Sequence, residues 1–123
     1  VLLSNIIWTN ANQTLRAITV QILDSVIDFN DNDGIYLAYT APLVNVQRTS
    51  FINCNSSEAD YGYLRLVNEN PFNVIWNITG NNFTGMGPYV AVEWDSDTAE
   101  AEIFIASNTF SYSRSFVIVT DSN

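Results

Sequence analysis

A three-residue phrase recurs five times along this chain: a Ser, Thr or Asn, then any residue, then a large apolar one. It reads Asn5-Ile6-Ile7, Ser25-Val26-Ile27, Thr49-Ser50-Phe51, Asn81-Asn82-Phe83 and Asn108-Thr109-Phe110. The apolar members stand 20, 24, 32 and 27 residues apart, within the period at which one supersecondary unit stacks on the next copy of itself. A unit of that size cannot bury its own apolar face, so the repetition predicts a β-solenoid whose coils cover one another.

Local patterning agrees. Short runs alternate apolar and polar residues with period two: Val20 and Ile22, Ile35 and Leu37, Val44 and Val46, Leu64 and Leu66, Val90 and Val92, Ile103 and Ile105. Each pair marks a strand with one inward face. Turn formers separate them, as in Asn30-Asp31-Asn32-Asp33-Gly34, Thr40-Ala41-Pro42, Asn68-Glu69-Asn70-Pro71 and Gly85-Met86-Gly87-Pro88. No stretch sustains helical periodicity for ten residues, so the chain reads as all-β. The anchor-to-strand spacing places coils at 1–17, 18–42, 43–71, 72–98 and 99–123, the third one lengthened by a loop over 55–62.

This pattern resembles the single-stranded right-handed parallel β-helix of pectin-lyase-like proteins, with about five coils. The resemblance rests on repeat spacing, apolar alternation and the polar corner, and it includes no catalytic signature. It implies an inward ladder in which Asn5, Ser25, Thr49, Asn81 and Asn108 hydrogen-bond from coil to coil. The alternative architecture is an antiparallel β-sandwich or jelly roll, in which the same residues are ordinary turn residues.

The residue inventory narrows the function. Thirteen acidic residues face four basic ones, for a net charge of −9; a surface of that sign disfavours nucleic acid. Neither His nor Lys occurs. A Ser-His-Asp triad, a histidine-bound zinc, a Schiff base and a P-loop therefore have no place within this chain. The single cysteine, Cys54, permits no internal disulfide. No apolar run is long enough to span a bilayer as a helix, so membrane insertion is not expected. The start, Val1-Leu2-Leu3, lacks an initiator methionine and the flanks of a signal peptide. The chain is accordingly expected to be one solenoid domain over 1–123, a segment of a longer protein or a stacking protomer.

Acidic residues cluster as Asp24, Asp28, Asp31 and Asp33, and as Glu93, Asp95, Asp97, Glu100 and Glu102. Convergent carboxylates bind calcium, which makes Asp31, Asp33, Asp95 and Asp97 the candidate ligands and calcium the one cofactor to consider. Asp31 with Asp33, or Asp95 with Asp97, also offers the paired carboxyls that glycosidases use, but neither pair stands in a catalytic motif. No enzyme activity is expected. Tyr61 and Tyr63, flanking Gly62 beside the inserted loop, form the candidate ligand-binding corner, with carbohydrate the class of ligand that stacks on aromatic rings.

Four Asn-x-Ser/Thr acceptors occur, at Asn12, Asn55, Asn77 and Asn82. If Val74, Trp76, Ile78 and Phe83 face inward, Asn77 and Asn82 face out, where a glycan leaves the core undisturbed. Neither end of the array carries a polar cap, which invites strand addition by another domain or copy. The sequence thus predicts a structural module of an extracellular fibre, surface layer or cell-surface adhesin, N-glycosylated and assembling end to end. Its alternative is a carbohydrate-binding or polysaccharide-cleaving β-helix.

Overall fold

Strands form where the alternating runs predict them, because each places β-branched or large apolar residues on one face only. The computed structural model describes residues 1–11, 19–31, 35–38, 42–55, 63–68, 73–86, 90–94, 100–111 and 117–121. Within them the chain is all-β. Its strands are β1 (Leu2–Ser4), β2 (Ile7–Thr9), β3 (Thr19–Leu23), β4 (Val26–Asp28), β5 (Ile35–Ala38), β6 (Leu43–Gln47), β7 (Ser50–Asn55), β8 (Leu64–Asn68), β9 (Val74–Thr79), β10 (Asn82–Met86), β11 (Val90–Trp94), β12 (Ala101–Ala106), β13 (Thr109–Ser111) and β14 (Val117–Asp121).

These strands form three sheets, with orders β1-β3-β6-β9-β12, β2-β4-β7-β10-β13 and β5-β8-β11-β14. From β3 onward the chain visits the first, second and third sheets in turn, then returns to the first one strand further along. Every described strand pair is parallel, which overturns the antiparallel sandwich or jelly roll for these residues. Each expected unit supplies one strand to the first sheet and one to the second. The position of Leu15, where the first unit would supply its third strand, lies outside the described residues.

The inward positions match the alternation. Val20, Ile22, Val44, Val46, Leu64, Leu66, Val74, Trp76, Ile78, Val90 and Val92 are buried in one continuous core. Within it an aromatic column runs across the second sheet. Phe51 and Phe83 stack at 4.9 Å between centroids, Phe83 and Phe110 at 5.4 Å, and Phe29 lies 6.3 Å from Phe51. Tyr63, the residue just before β8, meets Phe29, Phe51 and Phe83 edge-on, the arrangement the ring quadrupole favours.

One strand register corrects the sequence reading. Trp8 pairs with Ile27, Ile27 with Phe51, Phe51 with Phe83 and Phe83 with Phe110. The inward anchor of the first unit is therefore Trp8, which packs against the core, and Ile7 is 76% exposed. Asn5 accordingly stands one place too early for the ladder. It has φ +54°, matching Asp24 (+51°), Arg48 (+48°), Gly80 (+68°) and Ser107 (+58°) in the other units. A left-handed corner accepts Asn readily, so one residue type satisfies two adjacent positions and the repeat slides by one.

Candidate functional site

The first sheet turns into the second at a corner of two residues per unit. The left-handed residue redirects the chain, and the residue after it turns its side chain inward. Ser25, Thr49 and Asn81 are buried there, and Asn108 is half-buried. The Ile6 N–H donates to Ser25 Oγ at 3.3 Å, the Ser25 N–H to Thr49 Oγ1 at 3.3 Å, the Thr49 N–H to Asn81 Oδ1 at 3.0 Å, and the Asn81 N–H to Asn108 Oδ1 at 3.0 Å.

Each of these side chains also donates to a backbone carbonyl. The short hydroxyls reach two residues back in their own unit, Ser25 Oγ to the Leu23 carbonyl at 2.7 Å and Thr49 Oγ1 to the Gln47 carbonyl at 3.0 Å. The longer amides reach the preceding unit, Asn81 Nδ2 to the Val46 carbonyl and Asn108 Nδ2 to the Ile78 carbonyl, both at 2.9 Å. The ladder thus satisfies backbone donors that the bend removes from the sheets, and a buried unpaired donor costs roughly 1–3 kcal/mol.

Two left-handed corner residues also pair across the surface. Arg48 donates from Nε to Asp24 Oδ1 at 2.6 Å and from Nη2 to Asp24 Oδ2 at 3.0 Å. This fork holds the Asp24 carboxyl below the ordinary carboxylate range and raises the guanidinium. Asp28 is engaged too: its Oδ1 accepts the Asn30 N–H at 2.9 Å and the Asn53 Nδ2 at 3.0 Å. Of the calcium candidates, Asp31 is an exposed corner residue with φ +65°. Asp33, Asp95 and Asp97 lie outside the described residues. Among the described residues no three acidic or cysteine side chains converge as a metal site.

The aromatic corner is not a binding platform at Tyr63, which is fully buried. Its hydroxyl donates to the Thr84 carbonyl and accepts the Cys54 N–H at 3.1 Å. These bonds sit beside a break in register, where β7 has one residue more than β10 between Thr84 and Gly85. Asn53, at φ +59°, is the extra residue. Period-two reasoning placed Tyr63 outside the strand that begins at Leu64, so nothing in the sequence marked its ring as core. Tyr61 lies outside the described residues.

The glycan acceptors separate. Asn82 and Thr84 are both exposed on the outer face of β10. Asn77 also points outward from β9, with Trp76 and Ile78 buried on either side, but it is half-buried and its Oδ1 is covered and accepts no hydrogen bond. Asn55 ends β7, and its side chain, like all of Asn12, lies outside what the structure describes.

A feature the sequence did not announce lies across the outer face of the first sheet. Thr19, Gln21, Leu43, Asn45, Ile75 and Asn77 line a shallow groove of about 260 Å³. Asn45 pairs in register with Gln21 on one side and Asn77 on the other. Its Oδ1, like that of Asn77, is covered and without a hydrogen bond. Asn45 sits between Val44 and Val46, an alternation that marks an outward position but not a groove.

No family model, curated protein or solved structure matches the chain.

Proposed function

We propose that the three sheets are the walls of a right-handed parallel β-helix similar in architecture to pectin-lyase-like proteins, and that this helix is a non-catalytic structural module of an extracellular fibre, surface layer or cell-surface adhesin. The hand follows from the preference of parallel strand-to-strand crossovers, which are right-handed in roughly 98% of cases. The module extends by adding strands at both ends of its sheets, in contact with an adjoining domain or an identical protomer.

The observation that supports this reading is the gradient of burial along the stack. Val20, Ile22, Val44, Val46, Trp76 and Ile78 are buried, whereas Leu3 and Trp8 at one end, and Ile103, Ile105 and Phe110 at the other, pack on the core yet stay partly exposed. A further layer at either end covers those side chains and pairs the outer strands, and a row of unpaired backbone groups is a template for such addition. Asn82, exposed with Thr84 on either side of the buried Phe83, carries an N-glycan on this reading, and its hydrophilic bulk keeps the second sheet's outer face out of lateral contacts.

Electron microscopy of the chain at rising concentration tests the assembly. Linear stacks with meridional spacing near 4.8 Å, the strand separation, are the expected result. A monodisperse monomer at every concentration removes end-to-end assembly. Intact-mass and peptide mapping of the secreted protein tests for the Asn82 glycan.

A further inference from the structure

We infer that the outer face of the first sheet is a second, lateral interface at which two copies of this chain pack face to face about a two-fold axis parallel to the strands over β6. This does not depend on end-to-end stacking, which uses sheet edges and leaves this face free.

Charge points to the face. Register places fourteen residues on it in three columns: Thr19, Leu43, Ile75 and Glu102; Leu2, Gln21, Asn45, Asn77 and Phe104; Ser4, Leu23, Gln47, Thr79 and Ala106. In a chain with 13 acidic residues, Glu102 is the sole charge among them. Interface cores are depleted of charge in this way, and two copies that each carry −9 repel least through such a face. Leu2, Leu43, Ile75 and Phe104 are exposed here, Phe104 by 59%.

Self-complementarity points to the partner. An axis over β6 reverses strand order and keeps position along each strand. Asn45 then meets Asn45 of the second copy and Leu43 meets Leu43. Gln21 faces Asn77, Leu2 faces Phe104 and Thr19 faces Ile75. Amide opposes amide and apolar opposes apolar throughout the central column. A carboxamide supplies both donor and acceptor, so opposed amides of two copies pair in either orientation. Five strands at about 4.8 Å spacing and three outward positions at about 3.3 Å per residue give a footprint of roughly 300 Å² per copy. A stable interface takes about 800 Å² per partner, so two copies pair weakly and transiently.

The test is cross-linking, with a short bis-maleimide that spans the roughly 10 Å between packed sheets, of the 123-residue chain carrying Leu43→Cys, and separately Asn45→Cys, with Thr84→Cys on the second sheet's exposed face as reference. Native Cys54 is buried and stays out of the reaction. Both axis variants are expected to yield about tenfold more covalent dimer than the reference, equivalent to roughly 1.4 kcal/mol of preference, and adding Ile75→Glu to Leu43→Cys is expected to abolish the excess. Circular dichroism of each variant verifies the fold, and Leu43 and Ile75 are exposed enough for their replacement to leave it intact. Equal cross-linking of axis and reference variants overturns the inference, as does an occupied glycan at Asn77, which would hold the faces apart. Linear stacks that form while Leu43→Cys and Asn45→Cys, each without Ile75→Glu, give no cross-link above the reference overturn it while leaving end-to-end assembly standing. A wild-type chain that is monomeric but retained on a polysaccharide column, with retention lost in Ile75→Glu, overturns it in favour of a saccharide groove.

Discussion

Asn81 accepts the Thr49 backbone N–H on its Oδ1 at 3.0 Å across 32 residues of sequence, while its Nδ2 donates to the Val46 carbonyl at 2.9 Å. One buried side chain therefore ties three layers together, because its Nδ2 also donates to Asn108 Oδ1 at 3.1 Å, the atom that accepts the Asn81 N–H. Replacing Asn81 with Ala leaves the Thr49 N–H buried and unpaired and opens a small void. A loss of about 3 kcal/mol is expected in urea denaturation. Asn81→Ser retains an acceptor, as Ser25 and Thr49 show, and is expected to lose less.

The register correction is testable by a pair of substitutions. Trp8→Ala removes a side chain packed on the core and is expected to cost about 3 kcal/mol. Ile7→Ala trims a side chain in solvent and is expected to change stability by less than about 0.5 kcal/mol. The reverse order would place Ile7 inward and restore the sliding alignment.

Gly85 and Gly80 both have positive φ but differ in what surrounds them. A Cβ on Gly85 meets the Tyr63 hydroxyl and lies 3.1 Å from the Cys54 carbonyl oxygen, whereas on Gly80 the nearest atom is Arg48 Cγ at 4.0 Å. Gly80→Ala is expected to cost about 1 kcal/mol, the ordinary left-handed penalty. Gly85→Ala is expected to cost at least about twice that, since it also displaces the Tyr63 hydroxyl from the Thr84 carbonyl. Thermal melts of the two variants give the comparison.

Arg48 lowers the Asp24 carboxyl through two hydrogen bonds and their charge. The folded-state pKa thus lies below the unfolded value. The pair's contribution is present above the unfolded carboxylate pKa and is lost as pH falls through the folded one. Stability measured against pH for wild type and Asp24→Asn should differ at neutral pH and converge under acid. The difference is small, since both side chains are solvated.

Much of the fold was legible because its two periods are physical. Alternation with period two reports which side of a strand faces the core, and a unit too short to bury itself must repeat. Val20, Val44 and Val90 were identifiable from that alone, and Ser25, Thr49, Asn81 and Asn108 from the recurring phrase taken with the resemblance to a parallel β-helix. Asn5 was misplaced because asparagine suits both a left-handed bend and an inward ladder. Tyr63 was misread because a residue at a corner belongs to no alternating run.

By itself, the sequence determined that the chain repeats, that its strands have one apolar face, and that chemistry needing histidine or lysine is absent. Only tertiary structure decided which residues of distant units lie side by side. It put Phe83 between Phe51 and Phe110, closed the Asp24 to Arg48 fork, and brought Gln21, Asn45 and Asn77 into one row. The reason is the variable length of each unit. Spacings of 19, 24, 32 and 27 residues between Trp8, Ile27, Phe51, Phe83 and Phe110 hide a constant strand register, and hydrogen bonding between layers restores it whatever the corners contain.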